Sequence, residues 1–167
     1  MPRTALEDAG AAGPERFLRR AIELAIENVR NGRGGPFGAV IVREGRILAE
    51  GVNLVTSNLD PTAHAEITAI RRACAARGRF HLDGCQIYSS CEPCPMCLGA
   101  IYWARLDGIW YAATRADAAA AGFQDEQLYR EISAPVSLRS IPTVQLLREE
   151  ALPPLEAWKS SATRIDY

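Results

Sequence analysis

Three side chains that bind transition metals lie close to a carboxylate in the middle of the sequence. His64 precedes Glu66 by two residues, and Cys94 and Cys97 follow further along, three positions apart. Two thiolates and one neutral imidazole leave the fourth tetrahedral position of zinc open to water, whose pKa then falls to about 7. A nearby carboxylate is suited to accept a proton from that water and pass it on. The residues therefore predict one hydrolytic Zn²⁺ site per subunit, with Glu66 as general acid and base.

Each half of this set falls at the predicted start of a helix. Helical periodicity predicts helices over residues 63–78 and from Cys94 to about residue 104. Cysteines three residues apart in a first helical turn lie on one face. The positive end of the helix favours thiolates, so both sulfurs are expected to be available to the metal.

Two other interpretations of these residues stay open. A Cys-x-x-Cys pair is also typical of redox sites and of half a structural zinc site. Cys91 is a candidate fourth ligand, which would close the zinc and favour a binding or scaffold protein. We expect Cys91 to line the pocket with its backbone instead, because it ends a predicted strand. His-x-Glu followed by Pro-Cys-x-x-Cys is the signature of zinc-dependent nucleobase deaminases, which favours an open catalytic site.

The elements that must position the site alternate between helices and strands. A helix is predicted over residues 14–31, a β-hairpin from 39–42 and 46–50, and strands near 85–89 and 108–112. Further elements are predicted at 116–121 (helix), 144–148 (strand) and 155–164 (helix). This order predicts a three-layer α/β/α fold with a central mixed sheet of about five strands and helices on both faces. Residues 1–13 are expected to form a flexible tail, and residues 14–167 a single domain.

Composition narrows the function classes. The 167 residues include 19 Lys and Arg against 20 Asp and Glu, so no broad cationic face for nucleic acid is expected. No apolar segment approaches the roughly 20 residues that cross a bilayer, and the N-terminus lacks the apolar centre of a signal peptide. Five cysteines, three of them crowded at 91–97, suit a metal better than disulfides. We therefore expect a cytoplasmic protein with Cys74 and Cys85 in the core and His81 at the surface.

Three segments resemble bacterial guanine deaminases, in a likeness that runs from about Phe17 to Tyr167. They are Gly-Gly-Pro-Phe-Gly-Ala-Val-Ile-Val at 34–42, Asp-Pro-Thr-Ala-His-Ala-Glu at 60–66 and Ser-Cys-Glu-Pro-Cys-Pro-Met-Cys-Leu-Gly-Ala-Ile-Tyr-Trp-Ala-Arg at 90–105. The second segment and the Glu-Pro-Cys part of the third are shared with tRNA adenosine deaminases and cytosine deaminases. Segments 111–113, 117–119 and 121–123, with Trp158 and the terminal Tyr167, resemble the guanine deaminases more specifically.

The resemblance implies hydrolysis of guanine to xanthine and ammonia, in purine catabolism or salvage, by attack of the activated water on C2. Glu66 would protonate N3 and then the leaving amine. The resemblance also implies that Asn53 and Ala65 bind the purine and that Phe37 and His64 sandwich its ring. Asp125 would bind the guanine edge and assist proton transfer.

The same resemblance implies a homodimer in which the C-terminal segment, about 150–167, crosses to the partner. Tyr167 would then close the partner's pocket and leave little space for a ribose. Guanosine, isocytosine, ammeline and cytosine stay open as substrates, because they offer related amino groups. A tRNA adenosine deaminase is disfavoured by a tail from Glu149 that carries more acidic than basic residues. We expect a small nucleobase as substrate, and neither nucleic acid nor membrane as partner.

Overall fold

A mixed sheet organises the first part of the chain in the computed structural model, which describes residues 13–123 and 125–167. Within these residues the sheet has four strands, in the order β2-β1-β3-β4. The strands are β1 (Gly38–Arg43), β2 (Arg46–Val52), β3 (Cys85–Cys91) and β4 (Gly108–Ala113). Strand β1 pairs antiparallel with β2 and β3, whereas β3 and β4 run parallel. The predicted mixed sheet is confirmed, with four strands in the described residues instead of about five.

The hairpin between β1 and β2 forms where the sequence predicts it. Glu44 and Gly45 both have positive φ, at 49° and 71°. Two consecutive residues of this conformation make the short turn whose twist matches that of antiparallel strands. Residues Arg43 and Arg46 on either side of the turn are paired in the ladder.

Five helices of the described residues agree with the predicted bounds to within a few residues, and two others were not predicted. They are α1 (Glu15–Arg30), α2 (Val55–Asn58), α3 (Ala65–Arg77), α4 (Pro95–Trp103), α5 (Arg115–Ala120), α6 (Asp125–Ser133) and α7 (Leu152–Ser160). Of the two unpredicted helices, α2 is a single turn inside the segment that was expected to be a polar loop, and α6 follows the predicted helix at 116–121. Helix α4 joins β3 to β4, as a parallel pair requires.

Alternate residues of the strands build two apolar clusters, one on each face of the sheet. Val40, Val42 and Tyr88 pack with Phe17 and Leu24 of α1. Ala39, Ile41 and Ile87 are buried with residues of α3 and α4, which are Ala65, Ala69, Ala73 and Ile101. The period of two along the strands therefore places α1 on one face and the two site-bearing helices on the other, as predicted.

Two glycines in the sheet allow the helices to approach closely. A Cβ on Gly38 would lie 2.3 Å from the carbonyl oxygen of Ala21 in α1. A Cβ on Gly51 would lie 2.2 Å from the carbonyl oxygen of Ala65 at the start of α3. The missing side chain of Gly51 thus lets the first turn of α3 rest directly on β2.

The chain divides into two compact units, the first ending at Asp125 and the second running from Glu126 to Tyr167. In the second unit, residues 142–147 are irregular, so the predicted strand at 144–148 is wrong. Pro142 lacks a backbone donor, and a strand needs a neighbour to pair with. The predicted terminal helix is present as α7.

Apart from Gly13, the predicted tail at residues 1–13 lies outside the described residues. A single domain over 14–167 stays a prediction. Among the described helices, none combines the length and the apolar character that a membrane crossing requires.

Candidate active site

Three predicted metal ligands come together at the start of two neighbouring helices. The Nδ1 atom of His64 lies 3.6 Å from the Sγ of Cys94 and 3.5 Å from the Sγ of Cys97. All three ligand atoms lie within 4.8 Å of one another. Cys94 and Cys97 are buried, and His64 is partly exposed, so one side of the cluster is accessible.

These distances fit zinc. Tetrahedral coordination with Zn–S of about 2.3 Å and Zn–N of about 2.05 Å places sulfur and nitrogen about 3.6 Å apart. The two measured separations agree with that edge length, and the donor set of one imidazole and two sulfurs is one that zinc favours. The side chains therefore hold the geometry of a three-ligand zinc site, which is the arrangement of catalytic and not of structural zinc.

Local backbone conformation explains why the ligands converge. His64 and Cys94 have nearly the same extended conformation, with ψ of 161° and 168°, and each is the residue immediately before its helix. Their carbonyls accept the first helical hydrogen bonds, from Thr68 and Leu98. Pro95 favours the first position of α4, because its fixed φ suits a helix and it has no amide proton to satisfy. Each helix thus begins directly after a ligand.

The two cysteine thiols lie close enough for each to shift the pKa of the other. A hydrogen bond from Cys97, with a further contribution from His64, lowers the pKa of the Cys94 thiol to about 4. Interaction with Cys94 and burial raise the pKa of Cys97. Two neighbouring thiolates repel each other, and a dication between the sulfurs would offset that repulsion. Zinc ligation therefore deprotonates both coordinating thiols.

Glu66 lies in the first turn of α3, two residues after the histidine ligand. Its side chain is only 6% exposed, and burial raises the pKa of its carboxyl group above the ordinary value. The hydroxyl of Ser89 on β3 donates a 3.5 Å hydrogen bond to Glu66 Oε1. A raised pKa beside a metal site suits a group that takes up and releases a proton near neutral pH.

The site opens into a cavity of about 460 Å³. Its lining includes His64, Cys94 and Glu66 together with three residues predicted to contact substrate, which are Phe37, Asn53 and Asp125. A second cavity of about 650 Å³ adjoins it and shares Phe37, Cys91, Ala118 and Phe123. The second cavity is lined mainly by apolar side chains and by none of the zinc ligands, so the chemistry belongs to the first.

Hydrogen-bond partners fix the orientation of the Asn53 amide. Its Oδ1 accepts bonds of 3.3 Å from the backbone N–H groups of Gly35 and Val55. Because both partners are donors, the amide oxygen must face them. The NH₂ group of Asn53 is consequently the part that is available to a bound ligand as a donor.

Two other predicted substrate contacts also line the cavity. The ring of Phe37 packs edge to face against Phe123, with centroids 4.7 Å apart. Asp125 is partly buried at the start of α6, and burial, followed by the charge of Cys94, raises the pKa of its carboxyl group. The cavity therefore offers an aromatic face and an acid in addition to the Asn53 donor.

The remaining predicted contacts are Ala65 and Tyr167. Ala65 is fully buried, and its side chain belongs to the core under α3, which leaves only its backbone as a contact. Tyr167 lies in the second unit, where its ring is 6.2 Å from that of Trp158. Its predicted role in a partner's pocket stays a prediction.

Cys91 is not part of the metal cluster. Its Sγ is 3.6 Å from the carbonyl oxygen of Thr114, to which the thiol donates, and burial raises the pKa of this thiol to about 11. A neutral thiol with a carbonyl partner is a poor zinc ligand. Cys85 is fully buried and Cys74 packs against the same core, as predicted.

Sequence patterns did not identify three residues that support the site. Ser89 and Gly51 act across the sheet, through contacts that no local pattern reveals. Asn28 of α1 is buried and donates to the carbonyls of Gly35 and Asn53. A signal for Asn28 did exist, because this polar residue continues the buried stripe of Phe17, Ala21, Leu24 and Ala25 along the helix.

Comparison with known proteins agrees with this fold and site. The sequence pattern of the family described as the cytidine and deoxycytidylate deaminase zinc-binding region matches residues 12–113. The chain therefore belongs to this family of zinc-binding deaminases. The matched region contains all three zinc ligands and Glu66.

Individual relatives narrow the comparison to particular deaminases. The guanine deaminase of Bacillus subtilis (strain 168) is 56% identical over 153 residues, which is 92% of this chain and 98% of the relative. A crystal structure of guanine deaminase from Bacillus subtilis superposes with a TM-score of 0.91, at 55% identity over 93% of this chain and 99% of the other. The tRNA-specific adenosine deaminase of Aquifex aeolicus (strain VF5) is 40% identical over 101 residues, 60% of this chain and 66% of the relative. Only the likeness to guanine deaminase thus extends over nearly the whole chain among these relatives.

Proposed function

We propose that this protein hydrolyses guanine to xanthine and ammonia, in purine catabolism or salvage. The observation that carries the proposal is one cavity lined by His64, Cys94, Glu66, Asn53 and Asp125. These side chains supply metal ligation, proton transfer, a hydrogen-bond donor and an acid around a space large enough for a purine base. The similarity to guanine deaminase over 92% of the chain supports guanine as the base.

The proposed reaction replaces the 2-amino group of guanine with oxygen from water. When bound, zinc supplies Lewis acidity that activates a water for addition to C2. Glu66 takes a proton from that water and delivers it to N3. It then takes the remaining proton from the hydroxyl on C2 and gives it to the leaving amine, so that the C–N bond breaks, ammonia departs and C2 keeps a carbonyl oxygen. Burial suits Glu66 to this shuttle, because it raises the pKa of the carboxyl group above its ordinary value of 4.5 and so favours uptake of a proton.

Polar groups of the cavity match the edges of guanine. The donor NH₂ of Asn53 suits an acceptor such as O6 or N7 of the purine. The carboxylate of Asp125 suits the amino and N–H donors on the pyrimidine edge. A base that lacks the matching group would leave a polar side chain unpaired, and such mismatches give strong selection against close analogues. The ring of Phe37 is available to pack against the flat base.

An ammonia-release assay on the zinc-loaded protein tests the proposal. The panel contains guanine, guanosine, adenine, cytosine, isocytosine and ammeline, and an anticodon stem-loop RNA with adenosine at the wobble position. We expect guanine to have the highest kcat/KM and guanosine to be a poor substrate. Preference for another base would overturn the assignment of guanine, and preference for the RNA would favour a tRNA deaminase.

We also propose that the protein works as a homodimer in the cytoplasm. In the second unit, Leu138, Ile141, Val144 and Leu146 are 74–78% exposed. A second copy of the chain would cover such side chains, and the resemblance to guanine deaminases suggests exchange of the C-terminal segments. The five cysteines are free thiols, which suits a reducing compartment.

Complementation tests whether Tyr167 closes the partner's cavity. A Glu66→Gln chain has an inactive cavity but an intact tail, whereas a Tyr167→Ala chain has the reverse. Mixed dimers of the two should regain one complete site, with a guanine KM close to that of the wild type. Tyr167→Phe serves as the control that keeps the ring. No recovery in mixed dimers, verified by native mass spectrometry, would contradict the exchanged tail.

A further inference from the structure

We propose that Asn28 is a positioning residue that holds Asn53 and the preceding glycine loop in the arrangement that binds the purine. This inference rests on the proposed function, because it concerns how the base is held. Asn28 lies on α1, outside the cavity, and is only 2% exposed. The other buried residues of α1 are all apolar, so a buried amide at this position calls for a specific partner.

The partners of Asn28 are two backbone carbonyls from different parts of the chain. Its Nδ2 donates 2.9 Å to the oxygen of Gly35 and 2.8 Å to the oxygen of Asn53. Two acceptors on one side demand a group with two protons, which an amide nitrogen has and a carboxylate or hydroxyl lacks. Asn28 thereby joins the segment before β1 to the segment after β2.

The same two segments determine the orientation of the Asn53 side chain. The N–H of Gly35 donates to Asn53 Oδ1, and the N–H of Asn53 donates 3.1 Å to the carbonyl of Phe37. Asn28 thus fixes both the backbone of Asn53 and the residue that orients its amide. Loss of the Asn28 amide would release the donor and the aromatic side of the cavity together.

Close packing makes this arrangement sensitive to small shifts. A Cβ on Gly34 would lie 2.2 Å from the carbonyl oxygen of Asn53, the atom that Asn28 binds. The loop therefore lies against Asn53 without space for a side chain. Because the loop and the Asn53 carbonyl are in direct contact, a shift of either one would displace the other, so the effect of removing Asn28 should reach the cavity.

A double-mutant cycle distinguishes positioning from a general contribution to stability. We expect Asn28→Ala to lower kcat/KM for guanine on the order of tenfold, chiefly through KM, as loss of one ligand hydrogen bond does. In the Asn53→Ala background the same substitution should lower kcat/KM by a clearly smaller factor, because the side-chain amide that Asn28 positions is already absent and only its hold on the loop through Gly35 remains. Zinc content should stay at one per chain in all four proteins.

Matched variants keep the test independent of folding. Phe17→Leu lies on the same face of α1 but packs on Tyr88, so it should lower Tm without changing the guanine KM. Asn28→Ser, which keeps one donor, should give an intermediate KM and replaces Asn28→Ala if that variant does not fold. An equal factor in both Asn53 backgrounds, or an unchanged KM, would overturn the proposal. If the wild type prefers another base, the proposed function fails and the same cycle is measured with that base.

Discussion

Replacement of Gly51 by alanine tests whether close contact between β2 and α3 positions the catalytic residues. The new Cβ would lie 2.2 Å from the carbonyl oxygen of Ala65, and 2.5 Å and 2.9 Å from the backbone nitrogen and Cβ of Ala69. All three contacts involve the helix itself, so no flexible side chain is available to move aside. Since ordinary contact begins near 3.4 Å, the first turn of α3 must move away by about 1 Å.

The expected losses of stability and of turnover follow from this displacement. Overpacking of a buried site costs about 1–3 kcal/mol of the free energy of unfolding, or roughly 2–4 °C in Tm per kcal/mol for a chain of this size. His64 and Glu66 sit on the turn that moves, whereas Cys94 and Cys97 do not. A misplacement of about 1 Å in a catalytic group lowers turnover on the order of a hundredfold.

Calorimetry, zinc analysis and guanine turnover measure these effects together. Gly99→Ala is the matched control, because a Cβ there meets nothing within 4 Å and Gly99 lies inside helix α4. Alanine in a helix is favoured over glycine by about 1 kcal/mol, so this variant should be as stable as the wild type or more so. If Gly51→Ala kept the Tm, zinc affinity and kcat of the wild type, the contact would not position the site.

Two further predictions concern Cys91 and the Arg20–Glu50 ion pair. Cys91→Ser should retain one zinc per chain, because the thiol bonds to a carbonyl and not to the metal; loss of zinc would identify it as a ligand. The hydrogen bond from Arg20 lowers the pKa of Glu50 below its ordinary value of 4.5, although burial opposes the shift. The carboxylate therefore stabilises the fold above about pH 4.5, and this contribution disappears as pH falls through the lowered pKa. The Tm of Glu50→Gln should lie below that of the wild type at pH 7, and the difference should shrink as the pH falls below 4.5. A difference that does not change with pH would contradict this prediction.

The residues that carry the chemistry were predictable from sequence because their spacing is local. His64 and Glu66 share one helical turn, as do Cys94 and Cys97, and each turn begins after a loop. Neither helical turn alone predicts that the first turns of α3 and α4 lie side by side. This arrangement follows from the sheet, which places α3 and α4 on the same face.

Features that depend on contacts between residues far apart in the sequence were harder to predict. The expected strand at 144–148 has suitable residues but pairs with no other strand among residues 13–123 and 125–167, since pairing is a property of the fold and not of a segment. Asn28 lies in a predicted helix, but its hydrogen-bonding role could not be predicted. Its partners, Gly35 and Asn53, lie in loops on either side of the hairpin. A polar residue on an otherwise apolar helix face is the local sign of such a contact.

The most direct test of the central claim is the guanine turnover of a zinc-loaded Glu66→Gln variant. Glutamine keeps the shape of the side chain but cannot carry the proton between water, N3 and the leaving amine. We expect one zinc per chain, an unchanged fold, and xanthine formation slower by several orders of magnitude, beyond the roughly 10²–10⁴-fold typical of general acid–base catalysis alone. Turnover within tenfold of the wild type, at full zinc occupancy, would contradict the role of Glu66 and with it the proposed hydrolysis.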